Sequence, residues 1–84
     1  MIALNRTNKQ GRSFRLVEVF GHEPATSIRT AGAQIIVKHS IRDIADGWHR
    51  WILGMSIEES FPFLTSQERT FLQRGAGQSL LGDF

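Results

Sequence analysis

Residues 40–54 read SIRDIADGWHRWILG, and the spacing of the apolar residues in this stretch decides the fold. Apolar side chains recur every three or four positions, as they do along one face of an amphipathic helix. This apolar stripe consists of Ile41, Ile44, Ala45, Trp48, Trp51 and Ile52. We therefore predict a helix over residues 41–53 that packs on a sheet through Ile44, Trp48 and Ile52.

Capping signals delimit this helix and two shorter ones after it. A Ser or Thr with an acidic residue three positions later is typical of a helix start. Such pairs occur at Ser40 and Asp43, at Ser56 and Glu59, and at Thr65 and Glu68. Gly54 suits the position just past the first helix. The later signals predict short helices over residues 57–61 and 66–74, ended by Pro62 and Gly75 respectively.

The chain before residue 40 is rich in residues that favour strands. Strands are predicted over residues 2–7, 13–20 and 30–39. A turn signal at residues 8–11 separates the first two strands, and residues 21–29 are predicted as a connection. In the second strand, Phe14, Leu16 and Phe20 fall on one face, and Val17 and Val19 fall on the other. Short connections between these strands favour an antiparallel meander.

The sequence thus predicts an α+β fold: a small antiparallel three-stranded sheet followed by one amphipathic helix and two short helices. A chain of 84 residues is the size of a single domain, here residues 1–84. Within it we expect a β-meander over residues 1–39, a helical part over residues 40–75 and an apolar C-terminal tail over residues 76–84.

Composition restricts the kinds of protein to consider. The chain has no cysteine, which excludes disulfides and cysteine-ligated zinc and favours the cytoplasm over secretion. The apolar runs, such as residues 35–37, are far too short to cross a membrane, and we expect no signal peptide and no membrane partner. Residues 1–40 hold six Lys and Arg against two Glu, whereas residues 41–84 hold four against six acidic residues.

No arrangement of residues indicates catalysis. The sequence lacks a nucleophile elbow of the Gly-x-Ser-x-Gly kind, and His22, His39 and His49 have no spacing that would pair them. Glycines at 75 and 77 follow a predicted helix, whereas phosphate-binding glycines precede one. We expect no enzyme activity, no metal site and no cofactor.

Two sets of residues are candidates for binding a partner. Arg6, Lys9, Arg12 and Arg15 surround the first predicted turn, where a basic β-ribbon could contact nucleic acid or an acidic protein. Leu80, Leu81 and Phe84 are too apolar for a solvated tail. They are expected to dock on the core of this chain, to form a homodimer contact or to contact a foreign protein.

Residues 55–75 read MSIEESFPFLTSQERTFLQRG. This segment resembles one found in small phage-encoded proteins of unassigned function, with Phe-Pro-Phe-Leu, then Ser/Thr-x-x-Glu-Arg-x-Phe-Leu, then glycine. The matching residues are Phe61, Pro62, Phe63, Leu64, Thr65, Glu68, Arg69, Phe71, Leu72 and Gly75. The resemblance covers about a quarter of the chain. It implies a viral or mobile-element origin and no particular activity.

The leading hypothesis is a phage-type accessory protein that binds a host protein complex stoichiometrically in the host cytoplasm, for instance as an inhibitor of a defence or regulatory complex. The alternative is a nucleic-acid-binding protein that uses the basic N-terminal ribbon. A structural component of the virion is a third reading, and a small enzyme is the least favoured. The sequence leaves the oligomeric state open.

Overall fold

The computed structural model describes residues 2–75, and they have the expected α+β class. Four antiparallel strands lie side by side in chain order, and three helices follow them. The strands are β1 (Ala3–Thr7), β2 (Ser13–Val19), β3 (Ala25–Thr30) and β4 (Ala33–Val37). The helices are α1 (Ile41–Ile52), α2 (Ile57–Ser60) and α3 (Ser66–Arg74). The sheet therefore has four strands and not the predicted three.

The additional strand is β3, which occupies most of the segment predicted as a connection. Gly21 and Pro24, which indicated a connection, lie before this strand. Two hydroxyl side chains within the strand are buried, and both have hydrogen-bond partners. Thr26 Oγ1 donates to the carbonyl of His39 at 2.8 Å, and Ser27 Oγ accepts from Gln34 Nε2 at 2.8 Å. A tight turn then leads into β4 through Gly32, whose φ of 80° is readily adopted only by glycine.

The sheet buries one face, called the inner face here. Its central row consists of Leu4, Leu16, Ile28 and Ile35, which lie directly opposite one another across the four strands. Phe14 flanks this row in β2 and is 2% exposed. Phe20 was predicted to lie on the same face of the strand as Phe14, but β2 ends at Val19 and Phe20 is 71% exposed. It follows the last residue of β2, beyond the part of the sheet that the helices cover.

Helix α1 crosses the inner face, where it contacts β2 and β3. The Ser40 side chain caps it by accepting a hydrogen bond from the backbone nitrogen of Asp43 at 3.1 Å. Ile44 and Trp48 are buried against the sheet, as predicted. Ile52 was also predicted to face the sheet, but it is 49% exposed. Because Ile52 lies at the very end of the helix, it reaches the margin of the core and borders an open groove.

Gly47 lies in the middle of α1, where glycine usually lowers helix stability. A Cβ atom at this position would lie 2.6 Å from Phe61 Cε1 and 2.7 Å from the carbonyl oxygen of Ser60. The absence of a side chain at Gly47 therefore lets the end of α2 approach α1 closely. The close packing of α1 and α2 therefore explains why glycine occurs at position 47, although glycine has a low helix propensity.

The corner between α2 and α3 matches the capping signals. Thr65 and Glu68 form a complete capping box, in which each side chain accepts a hydrogen bond from the other residue's backbone nitrogen. Helix α2 ends at Ser60, one residue earlier than predicted. Phe61 follows it and is completely buried, and Arg69 donates hydrogen bonds to the carbonyl groups of Phe61 and Leu64. The corner is thus an integral part of the core.

Asn8 ties the turn between β1 and β2 to the end of α3. Its side chain is buried, and its Nδ2 donates to the carbonyl oxygens of Leu72 at 3.0 Å and Gln73 at 3.1 Å. Its Oδ1 accepts from the backbone nitrogens of Gln10 at 3.0 Å and Arg12 at 2.9 Å. Four hydrogen bonds therefore fix the turn and attach it to the helical layer.

Within residues 2–75, none of the helices has the length and apolar character that spanning a bilayer would require. The apolar C-terminal tail predicted over residues 76–84, with Leu80, Leu81 and Phe84, lies outside the described residues.

Candidate partner-binding face

The structure separates the four cations that the sequence suggested as one basic ribbon. Arg6 belongs to the inner side of β1, is partly buried and donates from Nη1 to the carbonyl of Asn5 at 2.8 Å. Arg15 is exposed on the opposite side of the sheet. The register pairs Arg6 with Phe14 and Asn5 with Arg15, so the two arginines belong to neighbouring strands but to different faces.

The other two cations contact the helical layer. Lys9 Nζ lies 3.3 Å from the carbonyl oxygen of Met55 and 5.9 Å from the centre of the Trp51 ring, within range of a cation–π interaction. The Arg12 side chain packs closely against Gly75 at the end of α3. Of the predicted set, only Arg15 therefore lies on the broad open surface of the sheet.

This open surface, called the outer face here, is formed by alternate residues of all four strands. Register and alternation assign to it Ala3, Asn5, Thr7, Ser13, Arg15, Val17, Val19, Ala25, Ser27, Arg29, Gln34 and Ile36. All three helices follow β4 in the chain, and α1 packs on the inner face. None of these outward-facing strand residues is acidic.

Arg15 and Arg29 lie directly opposite each other in the β2–β3 register, and both are exposed. Like charges in this position repel, so the pair lowers the stability of the sheet unless an anion lies across it. Asn5 and Gln34 continue the same row to the two edge strands. Lys38, just after β4, is a further exposed cation. The row is therefore polar across its width and positively charged at its centre.

Arg29 was not among the predicted site residues, because the sequence interpretation placed it in a connection. Its partnership with Arg15 depends on the register between β2 and β3, which only the fold defines. A local signal did exist: Ser27-Ile28-Arg29 alternates in the same way as Ser13-Phe14-Arg15. Recognising that alternation as a strand would have indicated a second outward-facing arginine.

Beside the charged row, the outer face is aliphatic. Val17 and Ser27 form the next row with Ile36, which is 57% exposed. Val17 and Val19 are partly buried. An aliphatic strip next to a pair of cations can offer both desolvation and charge complementarity to a protein surface.

A groove of about 880 Å³ opens between α1 and the strands. Its wall from the strands consists of Asn5, Arg6, Thr7, Ser13, Phe14, Arg15, Arg29 and Thr30, and its wall from α1 consists of Ala45, Trp48, His49 and Ile52. The indole nitrogen of Trp48 donates to the carbonyl of Thr7 at 3.0 Å, which fixes the helix against the end of β1. The described residues that line this groove include no carboxylate.

The three histidines lie apart in the fold. His22 is in the loop before β3, and His49 borders the groove. His39 lies against Phe63 with ring centres 4.6 Å apart and ring planes tilted by 57°. Over residues 2–75, no three His, Cys, Asp or Glu side chains come together in a way that could hold a metal ion.

Over residues 2–75, fold and surface together define a small α+β protein with two exposed, directly opposed arginines on the sheet face that α1 does not cover. No protein-family model matches this chain, and no curated protein or solved structure matches it.

Proposed function

We propose that this chain is a stoichiometric binding protein whose outer face docks on an acidic surface of a partner protein. The observation that carries the proposal is the opposed pair Arg15 and Arg29 on an open face whose described strand residues include no acid. Two cations held side by side repel each other in the free protein. A carboxylate-bearing partner converts that repulsion into attraction, which favours the bound state.

The make-up of the outer face favours a protein partner over nucleic acid. Sheets that bind single strands generally stack bases on aromatic side chains. The outward-facing strand positions that the structure describes carry Val17, Val19 and Ile36 but no aromatic residue. Phe14 is buried in the core, and Phe20 is exposed only beyond the end of β2. The core of a protein interface is instead more apolar than the rest of the surface, and arginine is enriched in interfaces.

Nucleic-acid binding remains the second candidate, because Arg15, Arg29 and Lys38 could contact phosphates without reading bases. Such binding would lack sequence preference and would weaken steeply with added salt. The nuclease arm of the experiment below separates it from the leading proposal.

A phage or mobile-element origin is proposed from the resemblance of residues 55–75. In this segment Phe61, Leu64, Phe71 and Leu72 are buried and Thr65 caps α3, so these residues maintain the fold. Residues 55–75 thus support a phage or mobile-element origin, and the proposed partner contact lies on the outer face. We propose a host defence or regulatory complex in the host cytoplasm as the target.

The test compares two double charge reversals. R15E/R29E changes the outer face, and R42E/R74E changes two exposed arginines of the helical layer as a matched control. Each tagged protein is used for capture from host lysate with and without nuclease, and the affinity for the captured component is then measured. We expect R15E/R29E to weaken binding by at least about tenfold and the control to bind normally.

Thermal unfolding of both variants establishes that they are folded before binding is compared. Full binding by folded R15E/R29E would contradict the proposed face. Loss of the captured component after nuclease treatment would support the nucleic-acid alternative instead.

A further inference from the structure

The two edge strands of the sheet, β1 and β4, differ in how their outward backbone groups are satisfied. At β1, the Glu18 nitrogen donates to the carbonyl of Ile2 at 3.0 Å, and the Asn8 nitrogen donates to the carbonyl of Arg12 at 2.9 Å. In this register the even-numbered residues of β1 therefore bond to β2. The backbone groups of its odd-numbered residues point to the free edge.

The free edge of β1 is already occupied by side chains. The carbonyl of Asn5 accepts a hydrogen bond from Arg6 Nη1 at 2.8 Å, and the carbonyl of Thr7 accepts one from the indole nitrogen of Trp48 at 3.0 Å. Arg6 also places a charge on the inner side of this edge strand. An inward-pointing charge protects a sheet edge against pairing with another strand. β1 is therefore poorly suited to accept one.

The edge of β4 has none of this protection. The same alternation, carried across β2 and β3, directs the backbone groups of Gln34 and Ile36 to the free edge. Within residues 2–75, no side chain or loop donates a hydrogen bond to either carbonyl oxygen. β4 contains no charged residue and no proline, and the side chains of Gln34 and Ile36 are exposed. An open, uncharged edge of this kind readily pairs with another strand.

A second copy of β4 is the strand that fits this edge. We propose that β4 pairs antiparallel with β4 of a second copy, about a two-fold axis at Ile35. Gln34 of each copy then forms backbone hydrogen bonds with Ile36 of the other, and Ala33 faces Val37. This register uses all five residues of β4 and sets no charged side chain opposite another.

The pairing also extends the apolar row of the inner face. Ile35 is partly buried and ends the row that begins with Leu4, Leu16 and Ile28. In the dimer it meets Ile35 of the second copy at a non-hydrogen-bonded position, where opposite side chains lie closest. The row then runs through both copies, and the second copy covers apolar surface that a single chain leaves open at its edge.

The pairing does not depend on the proposed function, because it uses the backbone edge of β4, whereas the proposed partner contact uses Arg15 and Arg29. The two inferences fail separately. A chain that is monomeric can still bind a partner through its arginines, and a chain that binds no partner can still form the dimer.

The first test measures the mass of the complete chain by light scattering over a dilution series. Ile36→Pro removes an N–H group that points to the second copy and leaves the bonds between β4 and β3 in place. Asn5→Pro is the matched control, since its N–H group points to the opposite free edge. We expect the complete chain and the control to be dimers that dissociate on dilution, and Ile36→Pro to dimerise at least about tenfold more weakly.

The second test uses the absence of cysteine from the chain, which lets a single introduced thiol report the register. Ile35→Cys should form a disulfide between copies under mild oxidation, because opposite residues at such a position have Cα atoms about 4.5 Å apart, which a disulfide spans. Ile36→Cys, which faces Gln34 of the second copy, should cross-link several-fold more slowly. Asn5→Cys, at the other edge, is the control for random collision.

A complete chain that stays monomeric throughout the dilution series would overturn the proposal. A folded Ile36→Pro variant that dimerises as well as Asn5→Pro would also overturn it, because the contact would then lie elsewhere on the chain. Circular dichroism establishes whether Ile36→Pro is folded. If it is not, the cross-linking decides: an Ile35→Cys variant that reacts no faster than Asn5→Cys contradicts the pairing of the two β4 strands.

Discussion

The two faces of the four-stranded sheet are formed by alternate residues of the same strands, but their side chains differ in polarity and charge. On the inner face, Leu4, Leu16, Ile28 and Ile35 form a continuous apolar row. The helices pack on this face, with α1 against β2 and β3 and α3 against β4. In the adjacent row, one residue later in β1 and β3 and one residue earlier in β2 and β4, the outer face has Asn5, Arg15, Arg29 and Gln34. The inner row stabilises the fold, whereas the outer row places two like charges in opposition. The outer row is therefore better explained by binding than by stability.

The largest expected effect tests whether stability resides on the inner face. Ile44→Ala should lower the free energy of unfolding by about 2–5 kcal/mol, because Ile44 is fully buried and its removal leaves a cavity. Ile36→Ala is the matched control on the outer face, where the change should be about 0.5 kcal/mol or less. Urea unfolding measures both. Similar losses in the two variants would show that the outer face is covered in the free protein.

The next prediction concerns the close contact of α1 with α2. Gly47→Ala would raise helix propensity, but its Cβ would collide with the ring of Phe61 and the carbonyl of Ser60. We expect a net loss of about 1–3 kcal/mol, measured by thermal unfolding. Gly21→Ala is the control, because a Cβ there meets nothing within 4 Å. A stabilised Gly47→Ala variant would mean that the helices are farther apart than described.

A third prediction compares two asparagines, one on each side of the molecule. Asn8→Ala removes four hydrogen bonds at a buried site and should cost about 1–3 kcal/mol. Asn5→Ala, at an exposed position beside Arg15, should change the stability by about 0.5 kcal/mol or less. Chemical denaturation of the two variants gives the comparison directly. Equal losses of stability in the two variants would contradict the conclusion that Asn8 joins the turn to α3.

The smallest expected effect has the opposite sign. Arg29→Gln relieves the repulsion with Arg15 and should stabilise the free protein by about 0.5 kcal/mol or less at low salt. The gain should disappear as salt screens the charges. Arg42→Gln, on the helical layer, is the control. A destabilised Arg29→Gln variant would show that Arg29 has a structural role and would weaken the case for the outer face.

Features that depend on neighbours in the sequence were predictable here. The capping box of Thr65 and Glu68 and the buried stripe residues Ile44 and Trp48 follow from local spacing. Strand β3 was missed because Gly21 and Pro24 indicated a connection, whereas they precede the strand, which begins at Ala25. Its hydroxyl side chains Thr26 and Ser27 have hydrogen-bond partners. Polarity alone does not distinguish a solvated hydroxyl from one with a buried partner.

Features that depend on distant residues were not predictable. The opposition of Arg15 and Arg29 requires the β2–β3 register, and the separation of Arg6 from Arg15 requires knowledge of which face each residue occupies. The exposure of Ile52 depends on where the sheet ends beneath α1. The sequence therefore indicated an excess of positive charge in the first half of the chain, whereas the positions of the charged side chains depend on the fold.

The hydrogen bonds from Asn8 to Leu72 and Gln73 join residues that are 64 and 65 positions apart. Closing a loop of this length costs chain entropy early in folding, so such a contact is expected to form after the local hairpins and helices. Interactions that are absent from the transition state govern the rate of unfolding more than the rate of folding. Asn8 would then set how long the folded state persists, and for a stoichiometric binding protein that lifetime limits its exposure to proteases.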